Sequence, residues 1–181
     1  MKKIQLSFLF LSLFTLTTFL VQAQPQLVGP IRYGGAKNGG GIFRIDLPGT
    51  TPGVVHQFDN LNPHRPVGGV CAGNEDWLYG TLTYNGNNTE GAAYRIRKDG
   101  TGYVKLFDFG TGSVARSAPF YHTDGKVYFN AENKIKVFDP STMGVTDVNL
   151  VSFSYSKELY IDADDYIYCF GFGEQLVRQK T

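Results

Sequence analysis

The side chains able to do chemistry are few and scattered along this chain. His56, His64 and His122 are its three histidines. No two of them have the close spacing, such as His-x-x-x-His, that puts two imidazoles on one metal. A zinc site would need ligands assembled from distant parts of the chain. Asp162, Asp164 and Asp165 form a compact acidic group, and carboxylate oxygens are what Ca²⁺ takes. No Glu closes the set at the twelfth loop position and no Gly supplies the sharp bend. These aspartates read as turn residues, the role that Asn74 and Asp124 have in similar stretches. Cys71 and Cys169 are the two cysteines. Each falls on a strand of a different unit, and they read as buried thiols, although an oxidising compartment would permit a bridge. No Ser, Thr or Cys sits in a nucleophile frame. Gly39-Gly40-Gly41 leads into a strand, so it offers no helix N-terminus to a phosphate. Asn87-Asn88-Thr89 has the form of a glycosylation sequon. The reading is no catalytic residue, no metal and no cofactor.

The elements that must position any site are short strands. Trp77-Leu78-Tyr79-Gly80-Thr81 follows the turn Gly73-Asn74-Glu75-Asp76. The same plan returns in Thr123-Asp124-Gly125-Lys126-Val127-Tyr128 and in Ala163-Asp164-Asp165-Tyr166-Ile167-Tyr168. Tyr33, in Ile31-Arg32-Tyr33-Gly34, reads as an earlier copy without its turn. Recurrence every 40 to 50 residues or so, in strand-sized pieces, is the period of stacked four-stranded units. The expected fold is all-β and β-propeller-like, with about 3.5 four-stranded antiparallel blades in an incomplete or open ring. The units fall near residues 31–59, 67–109, 117–153 and 157–181, and residues 24–30 are a lead-in with one edge strand at most. No segment has the three-and-four apolar spacing of a helix. Strands 77–83 and 103–109 carry apolar groups on both faces, as sheets covered on both sides do.

Composition bounds the rest. Charged residues are 18%, aromatics 14%, and glycine numbers 22, which suits a tightly turned all-β domain. Lysine plus arginine (17) nearly balances aspartate plus glutamate (16). No basic field draws nucleic acid or anionic lipid. Residues 1–23 read as a secretory signal peptide. Lys2 and Lys3 precede an apolar run, and Val21-Gln22-Ala23 gives the small residues of a cleavage site. An uncleaved anchor is the rival reading. No cysteine follows the run to carry a lipid. The expected location is periplasmic, cell-surface or extracellular, with no membrane span after cleavage.

Unit two resembles the repeat of the GloVer-type tandem-repeat proteins. The residues that carry this are Leu78-Tyr79-Gly80-Thr81, Gly91-Ala92-Ala93-Tyr94-Arg95-Ile96, Lys98-Asp99-Gly100-Thr101-Gly102 and Val104-Lys105-Leu106-Phe107. Unit one is similar through Gly39-Gly40-Gly41-Ile42-Phe43-Arg44-Ile45-Asp46, Pro48-Gly49-Thr50 and Val55-His56-Gln57-Phe58. Units three and four keep the aspartate turn and the tyrosine but lack the glycine-rich loop. The resemblance implies export and a propeller-like repeat, and His56 then sits at a structural position. It brings no catalytic residues.

Loop lengths give the one sharp expectation about a ligand face. In a four-stranded meander the second-to-third loops and the unit-to-unit linkers emerge on one edge. The long segments 35–40, 60–66, 84–91 and 110–116 all fall there, and binding surfaces favour long loops on rigid scaffolds. His64, Arg65, Tyr84, Asn85, Asn87 and Arg116 are the candidate ligand-face residues. The functional expectation is an exported, non-enzymatic scaffold that binds protein or carbohydrate, and that self-associates if its ring is open. The alternative is a metal-dependent propeller hydrolase or lyase with its site in the central channel.

Overall fold

A computed structural model describes residues 25–60, 64–74, 76–84, 91–110, 117–131, 134–149, 159–170 and 176–180. The leader, Asn85, Asn87 and Arg116 lie outside the described residues. Among the described residues fourteen strands form four antiparallel sheets, and there is no helix. Sheet one holds β1 (Gln26–Ile31), β2 (Asn38–Asp46) and β3 (Gly53–Asp59). Sheet two holds β4 (His64–Ala72), β5 (Trp77–Tyr84), β6 (Ala92–Arg97) and β7 (Val104–Asp108). Sheet three holds β8 (Phe120–Tyr121), β9 (Val127–Ala131), β10 (Lys134–Asp139) and β11 (Gly144–Asn149). Sheet four holds β12 (Leu159–Ile161), β13 (Tyr166–Phe170) and β14 (Leu176–Lys180). In every sheet the order in space is the order in the chain. Tight turns make that so: Gly100 and Gly125 take φ of 88° and 84°, which a Cβ disfavours, and each closes a hairpin.

The first strand departs from the sequence reading. Residues 32–34 are not a strand; β1 lies earlier and ends at Ile31, and Tyr33 is exposed beyond its end. Register shows why. Tyr79 stands opposite Arg95, and in sheet one Val28 stands opposite Arg44. The true copy of Leu78-Tyr79-Gly80-Thr81-Leu82 is therefore Leu27-Val28-Gly29-Pro30-Ile31. The glycines agree: a Cβ on Gly29 would press Phe43 Cζ at 3.2 Å, and one on Gly80 would collide with the Tyr94 ring. Tyr33 is instead followed by Gly34 and Gly35 at φ of 94° and 80°, a turn conformation. Pro30 is tolerated because, among the described strands, β1 pairs with β2 alone.

Apolar residues alternate to both faces, and three core layers result. Ile42, Phe58 and Val28 of sheet one meet Leu78, Leu82, Tyr94 and Ile96 of sheet two. Tyr79, Ala93 and Phe109 of sheet two meet Val127, Phe129 and Phe138 of sheet three. Tyr128, Ile135 and Val137 of sheet three meet Ile161, Ile167 and Cys169 of sheet four. Sheets two and three thus each turn one face forward to the next sheet and one back to the last, as the two-faced apolar pattern of the strands predicts. Each buried side chain of this size contributes about 1.5–3 kcal/mol.

Candidate functional site

The short-turn edge between sheets two and three carries a groove of about 400 Å³. Its floor comes from adjacent strands. Trp77 stands opposite Arg97 and Tyr79 opposite Arg95, so period two brings two aromatics and two guanidiniums onto one face. The Arg95 and Arg97 guanidiniums lie 4.3 Å and 4.7 Å from the Trp77 ring centroid, within cation–π range. Burial pushes the Tyr79 hydroxyl up in pKa, and Arg95, through its charge and a hydrogen bond, opposes that.

Sheet three supplies the opposite wall through Tyr121, Asp124, Gly125, Asp139, Pro140 and Ser141. Asp139 Oδ1 accepts from the Ser141 hydroxyl at 2.6 Å and its amide at 2.9 Å. These bonds hold the carboxyl below the usual carboxylate range. Burial would raise Asp124, but the hydrogen bonds from the Lys126 amide and the Tyr128 hydroxyl and the Lys126 charge outweigh it, and its pKa is lowered. The Tyr128 hydroxyl donates to Asp124 Oδ2 at 2.9 Å. The groove therefore presents a half-buried indole, a guanidinium and two ionised carboxylates, with Tyr79 buried in its lining. Such a set suits a polar ligand with one apolar face, such as a sugar ring.

Beside this groove, toward sheet four, His122 is buried. Its Nε2 lies 3.1 Å from the Asp162 carbonyl oxygen and so carries the proton, while Nδ1 faces the Asp124 amide at 3.5 Å. Asp162 is fully used by its own turn. Its Oδ1 accepts from the Asp164 and Tyr166 amides at 3.0 and 2.9 Å, and its Oδ2 from the Tyr168 hydroxyl at 2.8 Å. Among the described residues no group of three or more His, Cys, Asp or Glu side chains is placed to hold a metal ion.

The long-loop edge looks different. His64 and Arg65 open β4, nine residues long where the sequence suggested a start at Val67. His64 pairs with Tyr84, the last residue of β5, so these three candidates share one end of sheet two. His64 is buried and its pKa is lowered, first by burial and then by the Arg65 charge. Arg65 has φ of 62° and its guanidinium sits 5.2 Å from the Tyr33 ring centroid. His56 stacks on Tyr103, with centroids 5.3 Å apart and planes 11° from parallel, and meets Phe58 edge-on. The Cys71 thiol is pushed up to about 12 by burial, which makes it inert, and Cys169 is buried in another sheet. Sequence reasoning passed over Trp77, Arg95, Asp139 and Ser141 as strand and turn residues. The signal was present in Trp77-x-Tyr79 and Arg95-x-Arg97, two alternating pairs one hairpin apart.

No protein-family model and no curated protein matches the chain. Solved structures do. A chain of a nidogen/laminin complex is similar at 16% identity over 80% of this chain and 52% of that one, with a TM-score of 0.59. An auxiliary nutrient binding protein from Bacteroides thetaiotaomicron is similar at 16% identity over 78% of this chain and 33% of its own, with a TM-score of 0.56. A gluconolactonase from Xanthomonas campestris is similar at 16% identity over 77% of this chain and 44% of its own, with a TM-score of 0.54. The likeness is one of fold, an all-β propeller type. The chain spans a third to a half of the length of these structures.

Proposed function

We propose that this chain is an exported, non-enzymatic binding scaffold, an open propeller-like arc of about three and a half blades that holds a carbohydrate in the groove between sheets two and three. The observation that carries the reading is the pairing of the half-buried Trp77 and Arg95 on one wall with Asp124 and Asp139 on the other. Aromatic rings accept the C–H face of a sugar, and the ionised groups accept or donate to its hydroxyls. The groove lies within one chain: strands β5 and β6 give its floor, and tight turns of sheet three, closed by their own hydrogen bonds, give its opposite wall. The signal-like leader and the GloVer-type resemblance support export and the repeat plan.

The test is a screen of neutral and acidic oligosaccharides, followed by calorimetry on the best binder. Trp77→Ala is expected to weaken binding roughly thirtyfold, the effect of about 2 kcal/mol at a central aromatic contact. Arg65→Ala, on the opposite edge, leaves affinity unchanged. If Arg65→Ala abolishes binding and Trp77→Ala does not, the ligand face is the long-loop edge. Cleavage of the bound oligosaccharide by metal-loaded protein would favour the hydrolase or lyase reading instead.

A further inference from the structure

The two end sheets carry the two halves of an interface that the molecule already makes internally. By register, Leu27, Ile31, Phe43 and Ile45 of sheet one match Leu78, Leu82, Tyr94 and Ile96 of sheet two. The sheet-two residues are 0–3% exposed because sheet one covers them, whereas Leu27 is 57% and Ile31 50% exposed. Val54, opposite Phe43, is 65% exposed on the same face.

At the other end, Tyr168 stands opposite Arg178 and Tyr166 opposite Lys180. That ladder repeats Tyr79 with Arg95 and Trp77 with Arg97. The cations even stack alike: Arg178 lies 3.6 Å and Lys180 5.6 Å from the Tyr166 ring centroid. In sheet two this forward face is covered by sheet three. In sheet four Tyr160, opposite Tyr168, is 57% exposed, and Leu176 is 59% exposed.

We propose that a second copy of this chain supplies both missing neighbours. The back of sheet one in one copy seats on the front of sheet four in the other, and the same junction forms again across a two-fold axis. A head-to-tail contact that closes after two copies leaves no face open. The occupant follows from the self-match: the open face of sheet one copies the face of sheet two that sheet one covers, and the open face of sheet four copies the face of sheet two that sheet three covers. The proposal rests on the open-arc part of the reading above and not on the carbohydrate part.

Light scattering on size-separated protein tests it, with the full chain at tens of micromolar. The expected mass is that of two chains. Leu27→Asp and Leu176→Asp, both at exposed positions, each halve that mass while the circular dichroism spectrum stays unchanged. An equimolar mixture of the two variants recovers a two-chain species, since one of its two junctions joins intact faces. A single-chain mass for the unaltered protein, a variant that stays two-chained, a mixture that stays single, or an extended polymer would each overturn the proposal. Both single-chain variants retain oligosaccharide binding if the groove reading holds, so failure of one idea is told from failure of the other.

Discussion

Tyr94 shows how one residue can be both fixed and strained by its neighbour. Its ring lies across the backbone of Gly80, and its hydroxyl is buried without a hydrogen-bond partner. Burial pushes that hydroxyl far up in pKa, with Tyr103 and Cys71 adding to the effect. A buried hydroxyl with no partner costs about 1–3 kcal/mol. Tyr94→Phe removes it and keeps the ring, so the expected change is a gain of about 1 kcal/mol in urea denaturation. Gly80→Ala acts in the opposite direction. The new Cβ would meet the Tyr94 Oη and Cζ, and Cε1 at 2.7 Å. The ring cannot swing away inside a filled core, and overpacking of this kind costs about 1–3 kcal/mol. Combining the two changes restores only part of the loss, because Cζ and Cε1 remain in the way.

At the scale of strands, position in the sheet decides what a residue does. Pro30 and Thr81 occupy equivalent places in β1 and β5. β1 bonds only to β2, while β5 lies between β4 and β6, and Thr81 also donates through Oγ1 to the Val67 carbonyl at 2.9 Å. Thr81→Pro therefore breaks a ladder in a central strand and is expected to cost about 3 kcal/mol or more. Pro30→Thr stays within about 0.5 kcal/mol. Thermal melts of the two variants check the asymmetry. The same pair explains what was legible in the sequence. Turn chemistry and alternation gave most strands, because Asp99-Gly100 and Asp124-Gly125 announce their hairpins locally. The first copy was misplaced onto Tyr33 because its real tyrosine position holds Val28. Only register against Arg44 reveals that, and register is a long-range property. The groove was missed for the same reason. Trp77 and Arg95 could be read as one face, but Asp139 and Ser141 come from the next sheet.

Across the whole molecule the short-turn edge repeats one local electrostatic device. Asp99, Asp124, Asp139 and Asp162 each sit in a hairpin turn on that edge, and each has a lowered pKa. For Asp99 the cause is the Thr101 amide and hydroxyl, at 2.8 and 2.7 Å from Oδ1. For Asp162 it is first the Tyr166 amide, with the Tyr168 hydroxyl and the Asp164 amide assisting. Asp147, on β11, is lowered by hydrogen bonds from Lys134 and Lys136 at 2.7 and 2.9 Å. A carboxyl whose folded pKa lies below its unfolded value near 3.9 stabilises the fold above that value. The contribution disappears as pH falls through the folded value, because the unfolded chain then binds more protons. His56 and His64 are lowered mainly by burial, and the sign is the same. Their neutral forms favour the fold, so stability begins to fall once pH drops below the unfolded value near 6.5. The expected profile of denaturation midpoint against pH is flat near neutrality, declines shallowly below about 6.5, and falls steeply below about 4. Asp162→Asn removes part of the steep limb and leaves the shallow one. His56→Phe does the reverse, since Tyr103 and Phe58 already pack on that ring. A midpoint that rises on acidification would show that these turns hold their aspartates protonated and would reverse the electrostatic account of this edge.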